Sequence, residues 1–198
     1  MTVLAIGTYL GLNDCKVASL STDVASTAAT YGSLMDININ QMDISSVNYT
    51  EAELRYDEIL GDVYSKIESI EGSMVAGTFD LDVVAMLTGG TVGTTGSGTA
   101  AITSFGLGGD DVPVYCKIAF KTEYDESTSS VKDKHITICK AKVNVNFGTI
   151  SQGTDGYTTF TFNFKAIPLK GTYATAAGDT IDKAVIAVDH YGAVTAIS

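Results

Sequence analysis

Apolar and polar residues alternate along much of this chain with a period of two, the spacing of a strand that buries one face. After short apolar patches broken by Ser, Thr, Ala and Gly, the first sustained alternation is QMDISSVNYTEAELRYDE. There Glu51, Glu53, Arg55 and Asp57 fall on one face and Ala52, Leu54 and Tyr56 on the other. The pattern predicts a strand with one packed face and one wet, mostly acidic face. A second strand is predicted over 63–79, with Gly72 and Gly77 as bulges or bends. Asp80 then suits the N-cap of a helix over LDVVAMLT, Asp82 suits the positive end of its dipole, and Gly89 and Gly90 supply the stop. The apolar face Leu81, Val84, Ala85 and Leu87 is expected to pack on a sheet.

Residues 88–110 are rich in Gly and Thr and read as a loop around a short strand at 100–105. VPVYCKIAFKT and HITICKAKVNVNFG follow as the arms of a long hairpin, joined by a polar, charged loop over 123–134. In the second arm Cys139, Ala141, Val143, Val145 and Phe147 are expected to face one way, and Lys140, Lys142, Asn144 and Asn146 the other. The cleanest alternation comes next, in YTTFTFNFKAIPL, where Phe160, Phe162, Phe164 and Ala166 share a face and Pro168 ends the run. A last apolar strand lies in KAVIAVDH. About eight strands and one helix result. The expected fold is mainly β, a β-sandwich or half-barrel with one flanking α-helix, in a single domain over 1–198 whose residues 1–35 form an N-terminal strand and an extended arm.

Composition changes this picture in one respect. Of the 198 residues 45% are apolar and only 18% charged, sparse charge for an exposed surface, so other subunits are expected to cover part of the exterior. The net charge is −11, from 23 acidic and 12 basic residues, which argues against tight nucleic-acid binding, because that affinity comes from Lys and Arg on phosphates. A negative wall does, however, let a phosphate backbone pass without sticking. The three cysteines, Cys15, Cys116 and Cys139, are odd in number and widely spaced, and read as buried thiols in a reducing cytoplasm. No basic region precedes the first apolar run, as a signal peptide would need, and no run reaches the length of a membrane helix.

Candidate chemistry is thin. His135 and His190 stand on different predicted strands without metal-ligand spacing, and no GxSxG elbow is present. GTVGTTGSGT lacks the Lys-Ser/Thr ending of a phosphate loop, and Ala101 stands where the third glycine of GxGxxG belongs. Of the acidic pairs, Asp110-Asp111 in its Gly-rich loop is the best placed to hold a hard cation, though without EF-hand spacing. The residues thus suggest no catalytic or cofactor site and a protein that is not an enzyme.

The order of features carries a resemblance. YGSLMDI, then AELRYDE, then DLDVVAMLTGG, and later VPVYCKIAF, KHITICKAKV and YTTFTFNFKAIP resemble the major tail tube proteins of long-tailed, siphovirus-type bacteriophages over most of the chain. Tyr56 departs from the small residue expected before the acidic pair. The resemblance implies hexameric rings, stacked into a hollow tube around a tape-measure protein and bounded by tail terminator and tail tip proteins. Such a tube is assembled in the host cytoplasm, resides in the virion tail and conducts DNA without gripping it. Six copies would carry 6 × (−11) = −66 formal charges per ring. Glu51, Glu53 and Asp57 are then the expected lumen-facing acids, and the 123–134 loop and the N-terminal arm the parts that reach a neighbouring ring. Other readings are a tail terminator, a contractile inner-tube or secretion-tube protein, a capsid decoration or fibre-type protein, or a small hydrolase on a β-scaffold.

Overall fold

The computed structural model describes residues 8–56, 59–77, 80–126, 130–146 and 160–197. Among them the chain forms strands β1 (Thr8–Thr22), β2 (Thr30–Tyr31), β3 (Met35–Asp36), β4 (Ile39–Tyr56) and β5 (Ile59–Ala76), then helix α1 (Leu81–Thr88). Strands β6 (Thr91–Thr95), β7 (Ile102–Gly106), β8 (Cys116–Glu126), β9 (Ser130–Asn146), β10 (Phe160–Ala166), β11 (Thr172–Ala174), β12 (Thr180–Asp182) and β13 (Ile186–His190) follow. The fold is mainly β with one flanking helix, as the alternation predicted.

One large antiparallel sheet runs in the order β2-β1-β8-β9-β10-β5-β4, with β3 added to β1 and β13 to β9. β6–β7 and β11–β12 are separate hairpins. The large sheet curls. β3 pairs with β1, Lys16 Nζ meets Asp36 Oδ1 at 3.0 Å, and the Ile37 amide donates to the Cys15 carbonyl at 3.0 Å before the chain enters β4. The first and last long strands are thereby bridged by the chain itself, which gives the half-barrel form of the expected fold. Inside the curl lies the main core, with Val17, Ile70, Met74, Val84, Leu87, Ile118, Ile138, Val143 and Phe162 all buried. In β10 the predicted alternation holds, with Phe162, Phe164 and Ala166 buried and Asn163 and Lys165 exposed.

Helix α1 has the caps its sequence predicts. Asp80 Oδ1 accepts from the Asp82 amide at 2.9 Å, and Gly89, at φ 79°, closes the end by donating to the Ala85 carbonyl at 2.8 Å. Its buried residues are Val83, Val84, Leu87 and Thr88, with Leu81 and Ala85 only half-buried. This face is rotated from the expected one. The short helix lies against β9, β1 and the β6–β7 hairpin together, so its buried arc takes in Val83, and Leu81 is left at the rim of the first turn.

Several segments depart from the loops expected of them. Residues 88–110 hold a regular hairpin, Thr91 opposite Gly106 through Thr95 opposite Ile102. Most of the 123–134 segment continues the β8–β9 ladder, Glu123 opposite Asp133 and Glu126 opposite Ser130, because backbone pairing needs no apolar side chains. The segment expected to be an extended arm folds back instead: the Ala29 amide donates to the Thr172 carbonyl at 2.8 Å and the Thr172 amide to Thr27 at 2.9 Å. Gly72 does not itself bulge. The extra residue is Ser45 on β4 opposite, and a Cβ at Gly72 would press into the Asp43 carbonyl and stand 2.5 Å from Phe164 Cζ.

A bulge in β9 reverses its faces. Cys116 pairs with Ala141 but Ile118 with Ile138, so Cys139 and Lys140 together oppose Lys117. Ile136 and Ile138 before the bulge share the main core with Ala141, Val143 and Val145 after it. Cys139 therefore leaves the face expected of it and packs in a second cluster with Leu169, Ala184 and Ala187.

Candidate functional site

Two regions stand apart from ordinary packing: the β4–β5 ribbon and the covered second face of β8–β9. β5 pairs with β10 from Ile70 to Ala76, and below Ile70 it runs on with β4 as its one partner among the described residues. Along this ribbon every residue from Val47 to Glu51 is exposed, as are Tyr64, Ser65 and Lys66. Over these residues the ribbon projects past the core with both faces exposed, while Ala52, Leu54 and Tyr56, the face expected to be packed, lie outside the residues whose side chains are described. The other edge of β4 carries no strand among the described residues.

Glu51 lies on this ribbon, exposed and opposite Ser65. Tyr49, 55% exposed, precedes it by two residues, so an aromatic ring shares its face. Glu53 is paired with Val63 two positions further along β4. Asp57 lies outside the described residues. Between the ribbon and the segment ahead of β13 runs a groove of about 710 Å³, walled by Tyr64, Ile67, Glu68, Pro168, Ile181 and Ile186. β13 adds to β9 where β10 has ended, and the groove marks where β5 splays from it.

The second face of β8–β9 holds polar groups that are almost wholly covered. Lys140 Nζ meets Asp23 Oδ2 at 2.6 Å, each side chain 8% exposed. Asp23 Oδ1 also accepts from the Lys170 and Gly171 amides at 2.8 and 3.0 Å. Burial alone would raise the Asp23 pKa, but the Lys140 ammonium and the two amides outweigh it and hold the carboxyl below its ordinary 3.8. Asp133, fully buried, accepts from Lys121 Nζ at 3.2 Å and from the Thr195 amide at 2.5 Å through Oδ2, while its carbonyl accepts from the Tyr191 amide at 2.8 Å. His135 Nε2 is 3.8 Å from the same carboxyl oxygen, and its ring lies 4.3 Å from that of Tyr191. These contacts hold residues 191–197 against the sheet.

His135 also lines a cavity of about 230 Å³ with Tyr31, Lys117, Thr137, Tyr173 and Asp189. The ladder brings the two histidines' strands together, Asp189 opposite His135 and His190 opposite Lys134, which puts the buried His135 and the exposed His190 on opposite faces of the sheet. Tyr31 donates to the Cys139 carbonyl at 2.9 Å, and burial holds its phenol, like that of Tyr173, above the usual range. Burial pushes the Cys116 and Cys139 thiols up to about 12 and Cys15 higher still. Thiols so placed stay protonated at neutral pH, the opposite of what a cysteine nucleophile needs.

The remaining candidate is spent on its own turn: Asp111 Oδ2 accepts from the Gly108 amide at 2.6 Å. Among the described residues no group of three or more His, Cys, Asp or Glu converges to hold a metal ion, and no helix is long and apolar enough to cross a membrane. Reading 123–134 as a loop concealed Asp133. The signal that could have found its cluster is the odd-numbered run Asp133, His135, Thr137, Cys139, in phase on one strand face. No protein-family model matches this chain, and no curated protein matches it either.

Proposed function

We propose that this chain is a structural virion protein, not an enzyme, whose copies form stacked hexameric rings that make the hollow tail tube of a phage. The observation that supports this most is the projecting β4–β5 ribbon, exposed from Val47 to Glu51 and from Tyr64 to Lys66, whose 18-residue strand β4 has an open outer edge on a curled sheet. An open edge of that length is a liability in a monomer and a joint in an assembly, and copies related by rotation cover such edges by closing a ring. The net charge of −11 suits a bore through which DNA passes without binding. On this reading Glu51, Glu53 and Asp57 face the lumen, the tape-measure protein fills it before ejection, and tail terminator and tail tip proteins end it. The tube resides in the virion tail after assembly in the host cytoplasm.

Negative-stain electron microscopy across a concentration series tests this. Rings or tubes with a central hole are expected, and a lasting monomer or trimer would count against the reading. The lumen residues have their own test. Glu51→Lys with Glu53→Lys is expected to leave the unfolding curve within about 0.5 kcal/mol of the parent, as surface changes do, while DNA ejection from phage carrying both changes slows. Normal infectivity of that phage would remove these two residues from the bore.

A further inference from the structure

From Val83 to Gly109 no residue is charged, in a chain that is 18% charged overall, where about five charges would be expected. That stretch includes the β6–β7 hairpin, which is exposed at eight of its ten strand positions, only Val92 and Phe105 being half-buried. Phe105 packs on the main core and roots the hairpin beside α1, but Ile102 is 67% exposed. Leu107 is exposed as well, and the exposed Asp110 and Asp111 close the uncharged stretch. Both outer edges are open among the described residues, and the register runs from Thr91–Gly106 to Thr95–Ile102 without a bulge. None of the usual protections of an edge, a Lys, a Pro or a bulge, is present on either strand. Two strands alone are marginal in water, so this hairpin is built to be covered.

Its charge identifies the cover. Copies carrying −11 each repel, and like charges brought face to face cost several kcal/mol. A surface that contributes no charge lets identical acidic chains touch without that cost. A basic partner would instead be met by carboxylates. We infer that the β6–β7 hairpin is covered by a second copy of this chain, whose backbone adds along one of its open edges. This adds to the ring reading a second element, beside the β4 edge, through which copies meet, and rests on that reading only for the expectation that they do.

The test uses the full chain, with sedimentation velocity over a concentration series and amide hydrogen exchange at its two ends. The parent is expected to associate, with exchange across 91–106 slowing in the associated form. Ile102→Lys, a charge on an exposed edge, is expected to abolish association while leaving the unfolding midpoint unchanged, and Ile102→Val to associate like the parent. Association with 91–106 exchanging as in the monomer, or Ile102→Lys associating normally, overturns the hairpin contact and leaves the ring reading standing. Dimers that protect the hairpin but show no ring under the microscope support the contact and remove the ring. A parent that stays monomeric at every concentration overturns both.

Discussion

Leu87→Asp is expected to leave no stably folded protein. Leu87 is fully buried in the main core, where α1 meets the curled sheet. Removing a buried leucine side chain alone costs about 2–5 kcal/mol. The aspartate adds a carboxylate that must either stay charged in an apolar site or take up a proton, a further several kcal/mol. Together these approach the whole stability of an ordinary domain, about 5–15 kcal/mol. Soluble yield and urea unfolding read the outcome, with Leu87→Ala as the milder comparison, down by about 3 kcal/mol. Ring or tube formation by Leu87→Asp at normal yield would mean that α1 does not pack as described.

Lys140→Met is expected to cost about 3 kcal/mol, the lower end of the loss on removing one partner of a buried ion pair. It leaves the Asp23 carboxylate with only the Lys170 and Gly171 amides. The double change Lys140→Met with Asp23→Asn should recover much of that loss, since no charge then remains buried. The pH dependence has a fixed sign. Asp23 is held below 3.8 in the folded protein, so its contribution is complete above the unfolded carboxylate range and is lost as pH falls through the folded value. Parent stability should therefore drop in acid more steeply than that of Lys140→Met, as urea unfolding from pH 6 down to pH 3 would measure. Parallel curves would dissociate the pair from acid stability.

Features set by neighbouring residues are legible in the sequence. The caps at Asp80 and Gly89 depend on residues within one turn, and the Phe162–Phe164 alternation depends only on strand geometry. Features set by distant residues are not. Asp23 and Lys140 are 117 positions apart, and their pairing also requires the bulge at Cys139, which shifts the phase of β9 and leaves no mark in composition. Lys140 therefore reads as a wet residue and is a buried one. The β6–β7 hairpin is obscured differently: its Thr and Gly residues look like filler, because its apolar side chains have little within the chain to pack on. Glu51 can be placed on its strand from sequence, but the exposure of every residue from Val47 to Glu51 cannot, since periodicity shows which residues share a face and not whether anything covers it.

The placement of β1 also sets a schedule. Asn13 and Glu123, joined side chain to side chain across β1 and β8, stand 110 positions apart. At roughly 5–20 residues per second of synthesis, β1 leaves the ribosome roughly 5 to 20 seconds before the strand it needs. During that interval it can pair with the same strand on a neighbouring nascent chain of the polysome. The bulge at Gly11, with φ 101°, and the charges Asp14 and Lys16 make β1 a poor template for such pairing. Straightening β1 by deleting Gly11 should therefore show its cost first as insoluble protein during expression, and only later, if at all, as a change in the finished subunit.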